Sequence, residues 1–127
     1  VFGVPYKCPP APYEMALLIR EALEARGTKA TIEVFTPQPV SMPLLGQAGC
    51  DIIESRLADN GITFLPNRKA TAIEAGEVLF TNERRSFDLL FGVPPHRPPA
   101  VVRESGLVGE SGWVSVKTPS AWNERCF

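Results

Sequence analysis

Residues 1–14 constrain the fold more strongly than any other part of the chain. An apolar opening that ends at Gly3 is followed by a proline-dense turn containing Cys8, and the run behind it, rich in Ala, Leu, Glu and Arg, predicts a helix. A strand, a glycine turn and a helix N-terminus form the front of a dinucleotide-binding βαβ unit. The second and third glycines of G-x-G-x-x-G are missing, however, and a cysteine stands where a phosphate is expected. The stretch therefore indicates a nucleotide-binding fold adapted to thiol chemistry.

Length and composition describe one globular domain. The chain has 127 residues, of which 44% are hydrophobic, and a formal net charge of -1. This length allows a sizeable core. No excess of basic residues indicates a nucleic-acid partner, and no apolar run is long enough to predict a membrane span. Because the chain opens inside a predicted strand and ends without a polar tail, we expect residues 1–127 to be one domain of a larger polypeptide.

The remaining pattern alternates helices and strands. Helices are predicted over residues 13–26 and 47–60, each ended by a glycine, Gly27 or Gly61. Short β-branched segments predict parallel strands over residues 1–4, 30–35, 62–65 and 88–91. The apolar stripe predicted to face the core consists of Met15, Leu18, Ile19, Ala22 and Leu23 on the first helix and of Cys50, Ile53 and Leu57 on the second.

The pattern changes after residue 68. Segments 70–73, 78–80 and 84–87 predict an antiparallel insertion spanning residues 69–87. A helical turn is predicted over residues 100–105 and a last strand over residues 113–116. The fold class that follows is α/β, a Rossmann-like three-layer domain with a central parallel sheet and an antiparallel β-meander insertion.

The three cysteines favour thiol chemistry over a disulfide framework or a metal site. Cys8, Cys50 and Cys126 are odd in number and widely spaced, and His96 is the single histidine. A disulfide-rich domain or a zinc site needs paired ligands at short spacing. We therefore predict no bound metal and take a reducing compartment as the default.

Cys8 is the strongest candidate for a functional residue. It precedes a predicted helix, where the macrodipole and free backbone N–H groups favour an anion, and Lys7 adds positive charge. We therefore expect a raised thiolate fraction at Cys8, the alternative being a small apolar residue in a tight turn. Cys50 lies on the apolar stripe of the second helix and is interpreted as a core residue. His96 is interpreted as a loop residue with no catalytic role.

The end of the second strand argues against a dinucleotide site. An NAD site needs an acidic residue there for the ribose hydroxyls, or an arginine for a 2′-phosphate. The sequence has Thr36, Pro37 and Gln38 at this place. The missing acidic residue and the missing glycines agree, so NAD(P) binding is disfavoured though left open.

Residues 5–14 resemble the cysteine-proline motif of sulfide:quinone oxidoreductases and of the flavoprotein subunit of flavocytochrome c sulfide dehydrogenase. These proteins are members of the FAD-dependent pyridine nucleotide-disulfide oxidoreductase superfamily. The motif reads Pro-Tyr-Lys-Cys-Pro-Pro-Ala-Pro-Tyr-Glu in this chain. The resemblance extends over essentially the whole chain, and further similar segments lie at residues 51–57, 60–62, 87–95, 106–108 and 112–116.

The resemblance implies that the chain is the second, NAD-binding-like domain of a flavoenzyme. Such an enzyme oxidises sulfide or a related sulfur compound at a reactive cysteine, here Cys8, and passes the electrons to FAD. FAD is held mainly by segments outside this chain, and the cysteine that pairs with the one at position 8 comes from the C-terminal part of the parent protein. Neither Cys50 nor Cys126 matches that partner. The residues implied to contact the cofactor are Gly3, Pro5, Tyr6, Lys7, Pro9, Pro10, Gly92, Pro94 and Pro95.

The implied partners are the FAD-binding domain of the parent chain and a quinone or cytochrome electron acceptor, with a homo-oligomer left open. Two other functions remain open. One is an NAD(P)H-dependent flavin reductase whose domain still binds the nicotinamide cofactor. The other is a degenerate Rossmann-like domain kept for packing or partner binding.

Overall fold

The computed structural model describes residues 1–3, 6–110 and 112–114. The chain divides into two compact units, residues 1–95 and residues 96–127, which are described separately. None of the helices in the described ranges is long and apolar enough to cross a membrane.

The first unit is mixed α/β. Helices α1 and α2 cover Ala11–Ala25 and Gly46–Asp59, and a short 3-10 helix, Pro43–Leu45, leads into α2. Strands β1 and β2 form a parallel pair, in which Ile32 is opposite Ile62, and β3, β4 and β5 form an antiparallel sheet in that order. The predicted parallel pair and the predicted antiparallel insertion are therefore confirmed. The strands are Ile32–Phe35, Ile62–Leu65, Ala70–Glu74, Glu77–Phe80 and Arg84–Ser86.

The helix ends follow from the glycines identified in the sequence. Gly27 adopts a φ of 64°, in the left-handed region that favours glycine. Its N–H donates to Glu24 O at 2.9 Å, and the Thr28 N–H donates to Leu23 O at 2.9 Å. These two bonds form a Schellman motif, which pairs the last carbonyls of α1 and ends the helix.

Alternation along β1 gives its two faces different neighbours. Val34 is buried in a core with Tyr13, Ala16, Leu57 and Ile62, and this core joins both helices to the parallel sheet. The neighbouring positions on β1 face the antiparallel sheet. The Phe35 ring packs edge-on against Phe80, with ring centroids 5.1 Å apart, and the Glu33 carboxylate accepts a bond from Arg85 at 3.1 Å. Helices therefore cover one face of β1, and the antiparallel sheet covers the other.

The predicted stripe on α1 is wrong at Met15, Leu18 and Ala22, which are exposed, while its members Ile19 and Leu23 are half-buried. Met15 and Leu18 are 45% and 60% exposed, while Tyr13 and Ala16 are buried. Tyr13, an aromatic residue in the first helical turn, packs in the core instead. The helical period then places Ala16 on the same buried face. On α2 the prediction is confirmed at Cys50 and Leu57, which are 1% and 0% exposed.

Two of the four predicted parallel strands are not strands in the described residues, so the predicted four-stranded parallel sheet is wrong. The Val1 amine donates to Phe35 O at 2.9 Å, and the Phe2 N–H donates to Val93 O at 3.0 Å. These single bonds hold residues 1–3 beside β1 and beside residues 92–95. No ladder of strand hydrogen bonds continues from them in the described residues. Proline has no N–H to donate, so Pro94 and Pro95 cannot extend the pairing. Val4 and Pro5 lie outside the described residues.

The second unit contains one short helix, α3, over Ala100–Glu104, which confirms the predicted helical turn. Val114 forms an isolated antiparallel bridge with Val108, where a strand over residues 113–116 was predicted. The remainder of that prediction, residues 115 and 116, lies outside the described part of the chain, as does Cys126.

Candidate functional site

Cys8 lies in an exposed turn immediately before α1. Its φ is 56°, a left-handed conformation that is uncommon for a residue with a Cβ. The Cys8 carbonyl accepts a hydrogen bond from the Ala11 N–H at 3.0 Å, so Pro9 and Pro10 are the two central residues of the turn. Proline fixes φ near the value that the first central position of such a turn requires. The turn therefore holds its backbone shape while the Cys8 thiol is exposed.

The N-terminus of α1 offers no unpaired backbone N–H group over residues 9–14. The prolines at positions 9, 10 and 12 have no N–H. The N–H of Ala11 donates to Cys8 O, and those of Tyr13 and Glu14 both donate to Pro10 O, at 3.0 and 3.1 Å. Residues 9–14 therefore supply none of the free N–H groups predicted beside Cys8. The field of the helix dipole still favours an anion there, by about 0.3–1 kcal/mol at an exposed site.

The start of α1 and the end of β1 lack the groups that normally bind a nicotinamide dinucleotide. Its pyrophosphate normally binds the unpaired N–H groups at the start of the first helix, and those are missing here. At the end of β1, where an acidic side chain would bind the ribose, Thr36 is completely buried. Its N–H donates to Leu65 O at 3.1 Å and its carbonyl accepts from the Arg68 N–H at 2.8 Å. The ends of β1 and β2 are thus tied to each other rather than open to a ribose.

Three of the residues implied to contact a flavin meet at one place. A Cβ added at Gly3 would lie 2.8 Å from Pro95 Cγ, so a larger residue at this position would require a shift of Pro95 or of the backbone. A Cβ added at Gly92 would overlap the ring of Phe2. The bond between Phe2 and Val93 holds the two segments side by side. The structure therefore brings Gly3, Gly92 and Pro95 together. Pro5, another member of the set, lies outside the described residues.

Tyr13 links the start of α1 to the loop after β1, a role that sequence reasoning missed. Its hydroxyl donates a short hydrogen bond to Ser41 O and also interacts with the Tyr6 hydroxyl. Burial raises the pKa of Tyr13 well above its ordinary value, and the nearby Tyr6 and Glu54 groups raise it further. Burial also raises the pKa of Tyr6. Both phenols therefore act as neutral hydrogen-bonding groups. The available signal was the spacing of Tyr13 and Ala16, which places both on one helix face.

Ser41 is held from both helices. Its N–H donates to Glu54 Oε1 at 2.9 Å, and its carbonyl accepts from Tyr13. The residue is fully buried, and its Oγ has no hydrogen-bond partner. Cys50 is buried close enough to Tyr13 to influence the ionisation of that phenol. The structure thus places Cys8 in solvent and Cys50 in the core, as interpreted from the sequence.

Within the described residues, no group of three or more His, Cys, Asp or Glu side chains is arranged to hold a metal ion. No protein-family model matches the chain.

Proposed function

We propose that the chain is the NAD-binding-like domain of an FAD-dependent oxidoreductase that oxidises sulfide or a related sulfur compound through Cys8. The observation that carries the proposal is the exposed Cys8 thiol in a proline-fixed turn at the start of α1. A thiol kept only for packing is buried in most proteins, as Cys50 is here. The helices on one face of β1 and the antiparallel sheet on the other support the finer fold assignment, a Rossmann-like three-layer domain.

In the proposed reaction, Cys8 begins in a disulfide with a cysteine from outside this chain. Hydrosulfide attacks the Cys8 sulfur, a new S–S bond forms, the old S–S bond breaks, and the partner cysteine leaves as a thiolate. Cys8 then carries a persulfide. The sulfur of sulfide has lost two electrons, and the former disulfide has gained them. FAD bound by other segments of the parent protein supplies the acceptor for these electrons.

The residues of this chain orient and expose the attacked sulfur. The bond from Ala11 to Cys8 O fixes the turn, and Tyr13 anchors the first turn of α1 to Ser41. Because this helix start has no unpaired N–H in residues 9–14, it offers no backbone donor to bind the pyrophosphate of a nicotinamide cofactor. This feature favours sulfide oxidation over the flavin-reductase alternative, in which the same helix start would bind NAD(P)H.

The test is a measurement of flavin and of its bleaching in the polypeptide that carries this domain. We expect bound FAD whose absorbance is bleached anaerobically by sulfide, and we expect Cys8→Ser to retain the FAD and lose the bleaching. Cys50→Ser is the matched control and should bleach like the unaltered protein. Bleaching by NADPH or NADH instead of sulfide would support the flavin-reductase alternative. A protein without FAD, or a C8S variant that still bleaches, would overturn the proposal.

A further inference from the structure

The exposed face of α1 carries an apolar stripe that nothing in the first unit covers. Met15 and Leu18 are 45% and 60% exposed, and Ala22 and Ala25 continue the stripe as exposed residues. The spacing of these four positions is three, four and three residues. This is the a and d pattern of two heptads, the pattern by which two helices pack along a seam.

Charged residues of opposite sign flank this stripe. Glu14 and Glu21 precede Met15 and Ala22 and take the g positions of the two heptads. Arg26, the C-cap residue directly after α1, takes an e position. Glu21 and Arg26 are both exposed. Neither forms an ion pair within the described part of the chain. Each side of the stripe therefore carries a charge that is unpaired in the described residues, negative at a g position and positive at an e position. Charges at these positions determine which second helix can pack against the stripe.

We propose that this stripe is the contact surface for a second copy of the chain, with the two α1 helices parallel. In a parallel pair a g residue lies beside the e residue five positions later on the other helix. Glu21 of each copy then faces Arg26 of the other, and this favourable pair occurs twice by symmetry. An antiparallel pair would place g beside g and bring Glu14 near Glu21, which repel each other. The charges thus select one orientation as well as one occupant.

The expected association is weak and reversible. Two heptads are fewer than the three or four that sustain an independent coiled coil. Met15 and Leu18 supply most of the apolar surface, while Ala22 and Ala25 allow the two backbones to approach closely. The inference does not depend on the redox role of Cys8, because it uses only the exposed face of α1.

Sedimentation equilibrium of the 127-residue chain over a wide concentration range tests the contact. We expect the average mass to rise from monomer toward dimer with concentration. Leu18→Glu should weaken dimerisation by at least about tenfold, since it places a charge on the seam of both copies. Ile52→Glu is the matched control: it introduces the same charge at an apolar residue of α2 that is 72% exposed and does not belong to the stripe, and it should leave dimerisation unchanged. Far-UV circular dichroism establishes that both variants are folded.

A charge exchange tests the orientation. Glu21→Arg alone and Arg26→Glu alone should each weaken self-association, because each faces like charges across the seam. An equimolar mixture of the two variants should associate again, since every pair across the seam then has opposite signs. A chain that stays monomeric throughout, an L18E variant that dimerises normally, or a mixture that fails to associate would overturn the proposal. Dimerisation lost in I52E and kept in L18E would move the contact to α2 and also overturn it.

Discussion

The Tyr13 hydroxyl donates a hydrogen bond to the Ser41 carbonyl and joins the first turn of α1 to the loop that follows β1. The same peptide segment is held on its other side by Glu54 of α2, through the Ser41 N–H. The loop is therefore fixed by one side chain from each helix. Because α1 begins directly after the Cys8 turn, the bond from Tyr13 also determines where that turn lies relative to β1.

Tyr13→Phe should destabilise the domain by about 1–2 kcal/mol, because it leaves a buried carbonyl without its donor while retaining the packed ring. Urea unfolding followed by circular dichroism gives the change as a shift of the midpoint at constant slope. Tyr6→Phe is the matched control and should have a smaller effect, since the donor to the Ser41 carbonyl is the Tyr13 hydroxyl. Equal destabilisation by the two variants would contradict the anchoring role assigned to Tyr13.

The sequence predicted the parts of the fold that depend on local signals. Gly27 and Gly61 correctly marked the ends of both helices, and the alternating segments after residue 68 correctly indicated an antiparallel sheet. It did not indicate which face of α1 is buried, because Met15 and Leu18 satisfy a helical period as well as Tyr13 and Ala16 do. Which face of α1 is buried depends on which residues of β1 and β2 contact the helix, and these contacts join residues far apart in the sequence.

The candidate site divides in the same way. Exposure of Cys8 and burial of Cys50 followed from a proline turn and from an apolar stripe, which are local patterns. The pairing of the N–H groups of Ala11 and Tyr13 could not be read in advance, since it depends on a turn that closes onto Cys8. The anchor between Tyr13 and Ser41 joins positions that are far apart in the sequence and carries no local signal.

A 127-residue chain prepared with a free amine at Val1 should lose stability as the pH falls from about 8 to about 6. Burial lowers the pKa of the Val1 amine from 8.0 to about 6 in the folded chain. Protonation between these values therefore favours the unfolded chain, so the stabilising contribution is complete above pH 8 and is lost as the pH falls toward 6. After allowance for partial solvent screening, we expect a loss of about 1–2 kcal/mol.

Acetylation of the Val1 amine is the control for this effect. The acetylated chain has no group that titrates at this position, so its free energy of unfolding should change much less between pH 8 and pH 6. Guanidinium unfolding of both forms at several pH values gives the comparison. If the acetylated and unmodified chains show the same pH dependence in this range, the effect arises from another group and the prediction fails.

Neither NADH nor NADPH should bind the isolated chain in the low-micromolar range. The reason is structural: residues 9–14 have no unpaired N–H for a pyrophosphate, and buried Thr36 stands where a ribose-binding acid would be needed. Titration calorimetry with each nucleotide measures this directly. A single low-micromolar site for either one would contradict the prediction and would favour the flavin-reductase alternative.

The exposed turn predicts that Cys8 reacts with a limiting alkylating agent well ahead of Cys50. Cys8 is in solvent and Cys50 is 1% exposed, so access alone should separate their rates in the folded protein. Peptide mass spectrometry after brief alkylation near neutral pH gives the two extents separately. Because the helix dipole contributes only about 0.3–1 kcal/mol and no backbone N–H of residues 9–14 is available, we expect the Cys8 rate to exceed that of an ordinary exposed thiol only modestly.

Unfolding supplies the control for this last prediction, because it removes the protection of Cys50 and should bring the two labelling rates together. Tyr13→Phe separates two effects within the folded state. Loosening the anchor at Ser41 should increase the labelling of the buried Cys50 and should change that of the already exposed Cys8 much less. If Cys8 in the folded, unaltered chain reacts no faster than Cys50, the thiol is not accessible for chemistry. The packing interpretation of Cys8 then replaces the redox one.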